Sequence, residues 1–284
     1  MTATRADGGL GARSPTAGSS TVRRPVVAGS FYPGSAERLA ATVDALLAEA
    51  RVVDGERPVR AIVVPHAGYQ YAGHVAAIGY AAAARAGIPL MRVVLLGPAH
   101  FVLLRGFAVP AASAWRTPLG EVAIDDDLRS AAASWGASVD DGPLAPEHSL
   151  EVQLPWLQRM TRGQVRVLPV AVGAVTPQAV ADLLVAVPAD LVVVSTDLSH
   201  YRSDENARRI DGATLRSVLA LDPAGIDDDA ACGVYALRGI CAWAARLGLS
   251  VERLDYRTSG DAAGERRSVV GYAALRIVER SPRA

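Results

Sequence analysis

The chain has 284 residues, half of them hydrophobic, and 29 Lys plus Arg balance 29 Asp plus Glu, giving a net charge of zero. A sizeable core is available, and the charge balance excludes the basic footprint of a nucleic-acid binder or of a protein drawn to an anionic membrane. Every basic residue is arginine, so lysine nucleophiles and lysine Schiff bases are excluded outright.

Residues 1–24 are rich in Gly, Ser and Ala and lack the apolar stretch of a secretory signal, so they read as a disordered tail ahead of one α/β domain over 25–284. Ser35 caps a predicted helix over 35–50. RAIVVP (60–65) reads as a buried strand, followed by a small-residue helix over 74–87 that closes on Gly87. MRVVLLG (91–97) is a second buried strand. The stretch 98–124 is loop-rich, with short strands at GFAVP and GEVAI, and a helix with acidic first-turn residues follows over 124–136. HSLEVQLPWLQRM (148–160) reads as helical, with Pro155 expected to kink or shift it.

A strand at 164–173, a helix at 176–187 with Pro at its first position and the very hydrophobic strand DLVVVST (190–196) come next. Helices over 203–221 and 231–248 precede two terminal strands that should form an antiparallel hairpin. Alternating strands and helices predict a three-layer α/β sandwich with a mixed, mainly parallel central sheet. No apolar run approaches the roughly 18 residues of a membrane span. The two cysteines, Cys232 and Cys241, are too few for a disulfide scaffold. Free thiols and a cytoplasmic location are expected.

Ligands of open α/β sheets bind at the carboxyl ends of the strands. Three separate strands deliver polar residues there: His66 after RAIVVP, His100 after RVVLLGPA, and Asp197 and His200 after LVVVST. Each alone is an ordinary loop residue; together they point to one rim. His66 and His100 suit a metal as nitrogen ligands, with Asp, Glu or Cys as the third. Cys232 is the favoured third ligand, because a helix N-terminus stabilises the thiolate. Cys241, in mid-helix, reads as a small buried residue. Asp197 competes as a carboxylate that orients a histidine. His74, near the expected helix start, fits the cleft wall better than the metal. Glu147 and His148 either line the site or cap the following helix. STDLSHY brings Ser, Asp and His together, but residues so close along one segment rarely form a triad. GxSxG, GxGxxG and P-loop signatures are absent from the sequence.

The ordered set GSFYP (29–33), PHAGYQYAG (65–73), LGPAH (96–100), RTPLGEV (116–122), EHSLEVQLP (147–155), LPVAVG (168–173), STDLSHY (195–201) and CG (232–233) resembles the MEMO family. Its bacterial members are called AmmeMemoRadiSam system protein B. The likeness runs from about Val26 to the last strand. It implies a fold similar to the class III extradiol ring-cleaving dioxygenases, which are non-haem Fe(II) enzymes. It also implies His66, His100 and Cys232 as metal ligands, with Cys232 where the dioxygenases carry a carboxylate.

By the same resemblance His200 stands at the acid/base histidine and Asp197 lies in its pocket, while His74 and Cys241 are lowered as ligand candidates; Tyr69, His74, Glu147 and His148 are the further candidate pocket residues. His74 departs from the family pattern, in which a small residue or proline follows this glycine. Iron is the expected cofactor; the thiolate softens the site, so copper and zinc are alternatives. The function implied is redox or dioxygenase-like chemistry on an unknown small molecule. The rivals are a non-catalytic module for a small molecule or peptide, with a vestigial metal site, and a zinc hydrolase. The name of the bacterial group implies a pathway link to radical SAM and AMMECR1-like proteins.

Overall fold

The computed structural model describes residues 21–52, 57–87 and 90–280. In chain order its elements are β1 (Val22–Arg23), α1 (Ala36–Glu49), β2 (Val59–Val64), α2 (Tyr69–Arg85), β3 (Arg92–Pro98), β4 (Phe107–Val109), β5 (Ala114–Thr117), β6 (Gly120–Ile124), α3 (Asp126–Trp135), β7 (Ser138–Val139) and α4 (Leu154–Thr161). There follow β8 (Arg166–Val172), α5 (Pro177–Ala186), β9 (Leu191–Ser195), β10 (His200–Arg202), α6 (Asp204–Leu219), α7 (Val234–Arg246), β11 (Ser250–Thr258), α8 (Ser259–Ala263) and β12 (Val269–Val278).

The centre of the sheet is five parallel neighbours in the order β6, β8, β3, β9, β2. Antiparallel β12 pairs with β2 and with β11, which closes the expected hairpin. The sheet is therefore mixed and mostly parallel. Both its faces are covered, which is why the central strands read as unbroken apolar runs. Ile62, Val64, Val93, Leu95 and Val193 pack with Leu39, Tyr80 and Trp156 of α1, α2 and α4. The alternate residues Ala61, Val63, Val94, Leu96 and Val194 pack with Leu128, Val180, Leu215 and Ile240 of α3, α5, α6 and α7. Two helical layers flank one sheet, as the alternation of elements predicts.

Several boundaries differ from the sequence reading. The second helix begins at Tyr69, five residues before the expected His74. Gly73 lies inside it, where an added Cβ would sit 2.9 Å from the Leu46 side chain of α1. The glycine marks a close approach of α1 to α2 and not a helix stop. Pro155 does not kink α4: it occupies the first turn, after a 3₁₀ turn at Glu151–Gln153, where its missing N–H is not needed. The strand β5 and the short helix α8 were not anticipated.

The tail expected over 1–24 is also corrected at its end, while residues 1–20 lie outside the described residues. Val22–Arg23 pairs with β5. Arg23 Nη1 meets Glu151 Oε2 at 2.8 Å, and its Nε donates to Leu144 O at 2.9 Å. Glu151, fully buried, also accepts from the N–H groups of Val26 and Val27 and from the Tyr32 hydroxyl. One carboxylate thus fastens the N-terminal segment to the body. Glu151→Ala leaves the Arg23 charge uncompensated and two amides unpaired. It should lower stability by about 3–5 kcal/mol, read from urea denaturation; a loss below about 1 kcal/mol would show that the clamp contributes little.

Candidate metal centre

The site grows from three adjacent parallel strands. β2 ends at Val64 and is followed by Pro65 and His66; β3 ends at Pro98, two residues before His100; β9 ends at Ser195, two residues before Asp197. Since β3 pairs with β9 and β9 with β2, these residues emerge side by side on one rim. Cys232 comes from the loop before α7. Its N–H donates to Asp197 O at 3.2 Å, and the Asp197 N–H donates to its Sγ at 3.3 Å. Gly233 permits this approach, since a Cβ there would lie 2.8 Å from Thr196 Cβ.

The ligand atoms of His66, His100 and Cys232 all lie within 4.8 Å of one another. His66 turns Nε2 toward Cys232 Sγ at 3.3 Å and Nδ1 toward Ser195 Oγ at 3.0 Å. His100 Nδ1 meets Glu147 Oε1 at 2.9 Å, and the His100 N–H donates to Glu147 Oε2 at 2.7 Å. A carboxylate behind an imidazole fixes the ring and raises its basicity as a ligand. His148 stacks on His100 with centroids 4.9 Å apart. A second group, His100, Glu147 and His148, also has donor spacing, but it shares His100 with the first.

Burial dominates the electrostatics. It lowers His66 to about 4, against the Asp197 carboxylate, with His100 and His148 adding to the lowering. It likewise lowers His148. Burial pushes the Glu147 carboxyl up, but the hydrogen bonds from His100 and Ser149 outweigh it and hold Glu147 at about 2. Burial and then the Asp197 carboxylate push the Cys232 thiol up to about 12. The thiolate stabilisation expected from a helix start is therefore corrected: α7 begins at Val234, and desolvation prevails.

A cleft of about 840 Å³ opens above these residues, and His66, His100, His148, Asp197, His200 and Cys232 all line it. Three anticipated pocket residues, Tyr69, His74 and Glu147, do not. Tyr69 points into the core, donates to Val152 O at 2.8 Å and packs on Trp156. His74 is half-exposed, with Nδ1 3.7 Å from Glu49, along a separate depression. Tyr69 and His74 both lie on α2, which starts earlier than expected, and Gln70 and Tyr71 of the same helix face the cleft instead. Glu147 acts from behind His100, without lining the cleft. Asp197 accepts from the backbone N–H of His66 at 2.8 Å, so it orients that main chain and not an imidazole. Ser195, Gln153, Phe31 and Tyr272 were missed. Of these, Ser195, Gln153 and Phe31 fall within quoted motifs, and that was the available signal.

Comparison with known proteins bears on the same stretch. The family model described as Memo-like protein matches residues 23–276. A MEMO1 family protein of Methanopyrus kandleri is 36% identical over 277 residues, covering 89% of this chain and 98% of the relative. One from Aquifex aeolicus is 37% identical over 271 residues, covering 89% and 98%. One from Methanosarcina acetivorans is 36% identical over 283 residues, covering 91% and 99%.

Because the thiolate is the nucleophile, metal-free Cys232 should alkylate slowly at neutral pH. The rate should rise about tenfold per unit of pH without levelling off below pH 9. Peptide mass spectrometry after timed iodoacetamide treatment reads this, and a plateau near pH 8 would contradict the raised value. Asp197→Asn should speed the reaction.

Proposed function

The chain belongs to the Memo-like family, and from that premise we propose that His66, His100 and Cys232 hold one metal ion, with iron preferred over copper or zinc. The cleft above them presents a small molecule for oxygen-dependent, dioxygenase-like chemistry. The observation that carries this reading is the convergence of two imidazoles and one thiol within 4.8 Å at the floor of a cleft of about 840 Å³. The donor set fits such an ion: both Nδ1 atoms are engaged by the protein, and the thiol supplies a soft third ligand. When bound, the ion supplies Lewis-acid and one-electron chemistry beside the cleft.

The chain's own groups do the rest. Glu147 holds the His100 ring through Nδ1. Asp197 holds the His66 main chain. His200 and His148, on the cleft wall, are the groups placed to give or take a substrate proton. Phe31, Tyr71 and Tyr272 form apolar wall that excludes water from a bound molecule. The same ligands suit zinc, and zinc found there with ester or amide hydrolysis under anaerobic conditions would favour a hydrolase.

Metal analysis by mass spectrometry of anaerobically purified protein, beside Cys232→Ser, tests the reading. Near-stoichiometric iron, lost in the variant, is expected. No metal in either, even after reconstitution, would sink it in favour of a non-catalytic binding module. Uptake has a second signature. His66 is already neutral above about pH 4 and Cys232 is protonated below about pH 12. Binding near neutral pH should therefore release about one proton per ion, and the apparent affinity should rise about tenfold per unit of pH. Indicator-dye titration reads the proton, and its absence would remove Cys232 from the ligand set.

A further inference from the structure

The two imidazoles of the donor cluster are held by different chemistry. His100 Nδ1 faces a carboxylate, which at neutral pH can only accept. His66 Nδ1 faces the Ser195 hydroxyl at 3.0 Å, which can donate or accept. That contact alone does not say which ring nitrogen carries the hydrogen. The groups behind Ser195 do.

Gln153 Nε2 lies 3.0 Å from Pro65 O, and a carbonyl takes only a donor. The Tyr80 hydroxyl donates to Gln153 Oε1 at 2.8 Å from the other side. The amide is thereby oriented, and its second N–H donates to Ser195 Oγ at 2.8 Å. The single hydrogen of Ser195 goes to Ser149 O, 2.7 Å away, which can only accept. One lone pair of Ser195 Oγ remains, and it faces His66 Nδ1. His66 must donate there, and its Nε2 is left bare toward Cys232.

We propose that Ser195, locked by Gln153 and Tyr80, is a positioning residue that selects the Nδ1–H tautomer of His66 and so presents the Nε2 lone pair to the donor cluster before any metal arrives. All three residues are fully buried, so solvent does not compete for these hydrogen bonds. Every group in the relay is neutral. His66 is thus aimed without added charge, whereas His100 is aimed by a carboxylate. Only the consequence for affinity rests on the metal reading above; the tautomer is a property of the metal-free chain.

The test uses the full chain, metal-free, with ¹⁵N-labelled histidine and two-bond ¹⁵N–¹H correlation spectra near neutral pH. His66 is assigned by the loss of its signals in His66→Gln. The wild type should show His66 protonated on Nδ1. Ser195→Ala should move the proton toward Nε2, where Cys232 Sγ can accept it. The variant should also bind Zn²⁺ about 10–100-fold more weakly in competition with a chromogenic chelator.

An Nε2–H tautomer in the wild type overturns the proposal without any variant. So does a Ser195→Ala protein whose affinity falls while its tautomer stays the same, since that marks a merely structural role. Should the tautomer move as expected while neither protein binds Zn²⁺, the positioning role stands and the metal reading falls.

Discussion

A buried polar segment, Glu147 to Gln153, is the constraint on which the rest of the site depends. Glu147, Ser149, Glu151 and Gln153 are all fully buried. An unpaired polar group there would cost on the order of 1–3 kcal/mol, and an unpaired charge more. Each must therefore find a partner, and the partners are the groups that define the site. Glu147 takes His100, Ser149 O takes Ser195, Glu151 takes the N-terminal segment, and Gln153 takes Ser195 and Pro65. The segment reaches the sheet because Gly97 has no side chain; a Cβ there would lie 2.8 Å from Ser149 Oγ.

The same burial sets the charge state of the cluster. Buried His66 resists a proton, and Cys232, part-exposed to the cleft, is held toward the thiol by desolvation and the Asp197 carboxylate, so the metal-free cluster favours a neutral imidazole beside a neutral thiol. Glu147 stays ionised because the hydrogen bonds from His100 and Ser149 outweigh its desolvation. Two carboxylates thus flank the cluster, Glu147 behind the His100 ring and Asp197 on the His66 main chain, while the His66 ring itself is held by neutral groups. An incoming cation would meet two ligands of unequal basicity and a thiol that must give up its proton.

The N-terminal segment shows how a local reading misplaces a boundary. Composition marks residues 1–24 as a tail, yet Arg23 lies against Glu151 and over the Trp115 ring at 4.2 Å. Arginine in a Gly- and Ser-rich stretch gives no sign that a buried carboxylate more than a hundred residues later requires it. The start of α2 fails for a related reason. The small-residue pattern places the helix start at His74, but the helix takes in Gly73, which packs close to Leu46 of α1, and Tyr69 and His74 lie on it outside the cleft.

What the sequence by itself determined is the layer architecture and the rim. Continuous apolar strands alternating with amphipathic helices admit a doubly covered, mostly parallel sheet, and residues placed just after such strands fall at one edge whatever the strand order. Motif order added the family. What only the tertiary structure decided is which of those residues meet, and through which atoms. The adjacency of β3, β9 and β2, the approach of Cys232 to His66 and the relay from Tyr80 to Ser195 join segments 42 to 166 residues apart. Pairing at such separations is set by strand order and by the need to satisfy every buried polar group at once, and neither is encoded in any single stretch of the chain.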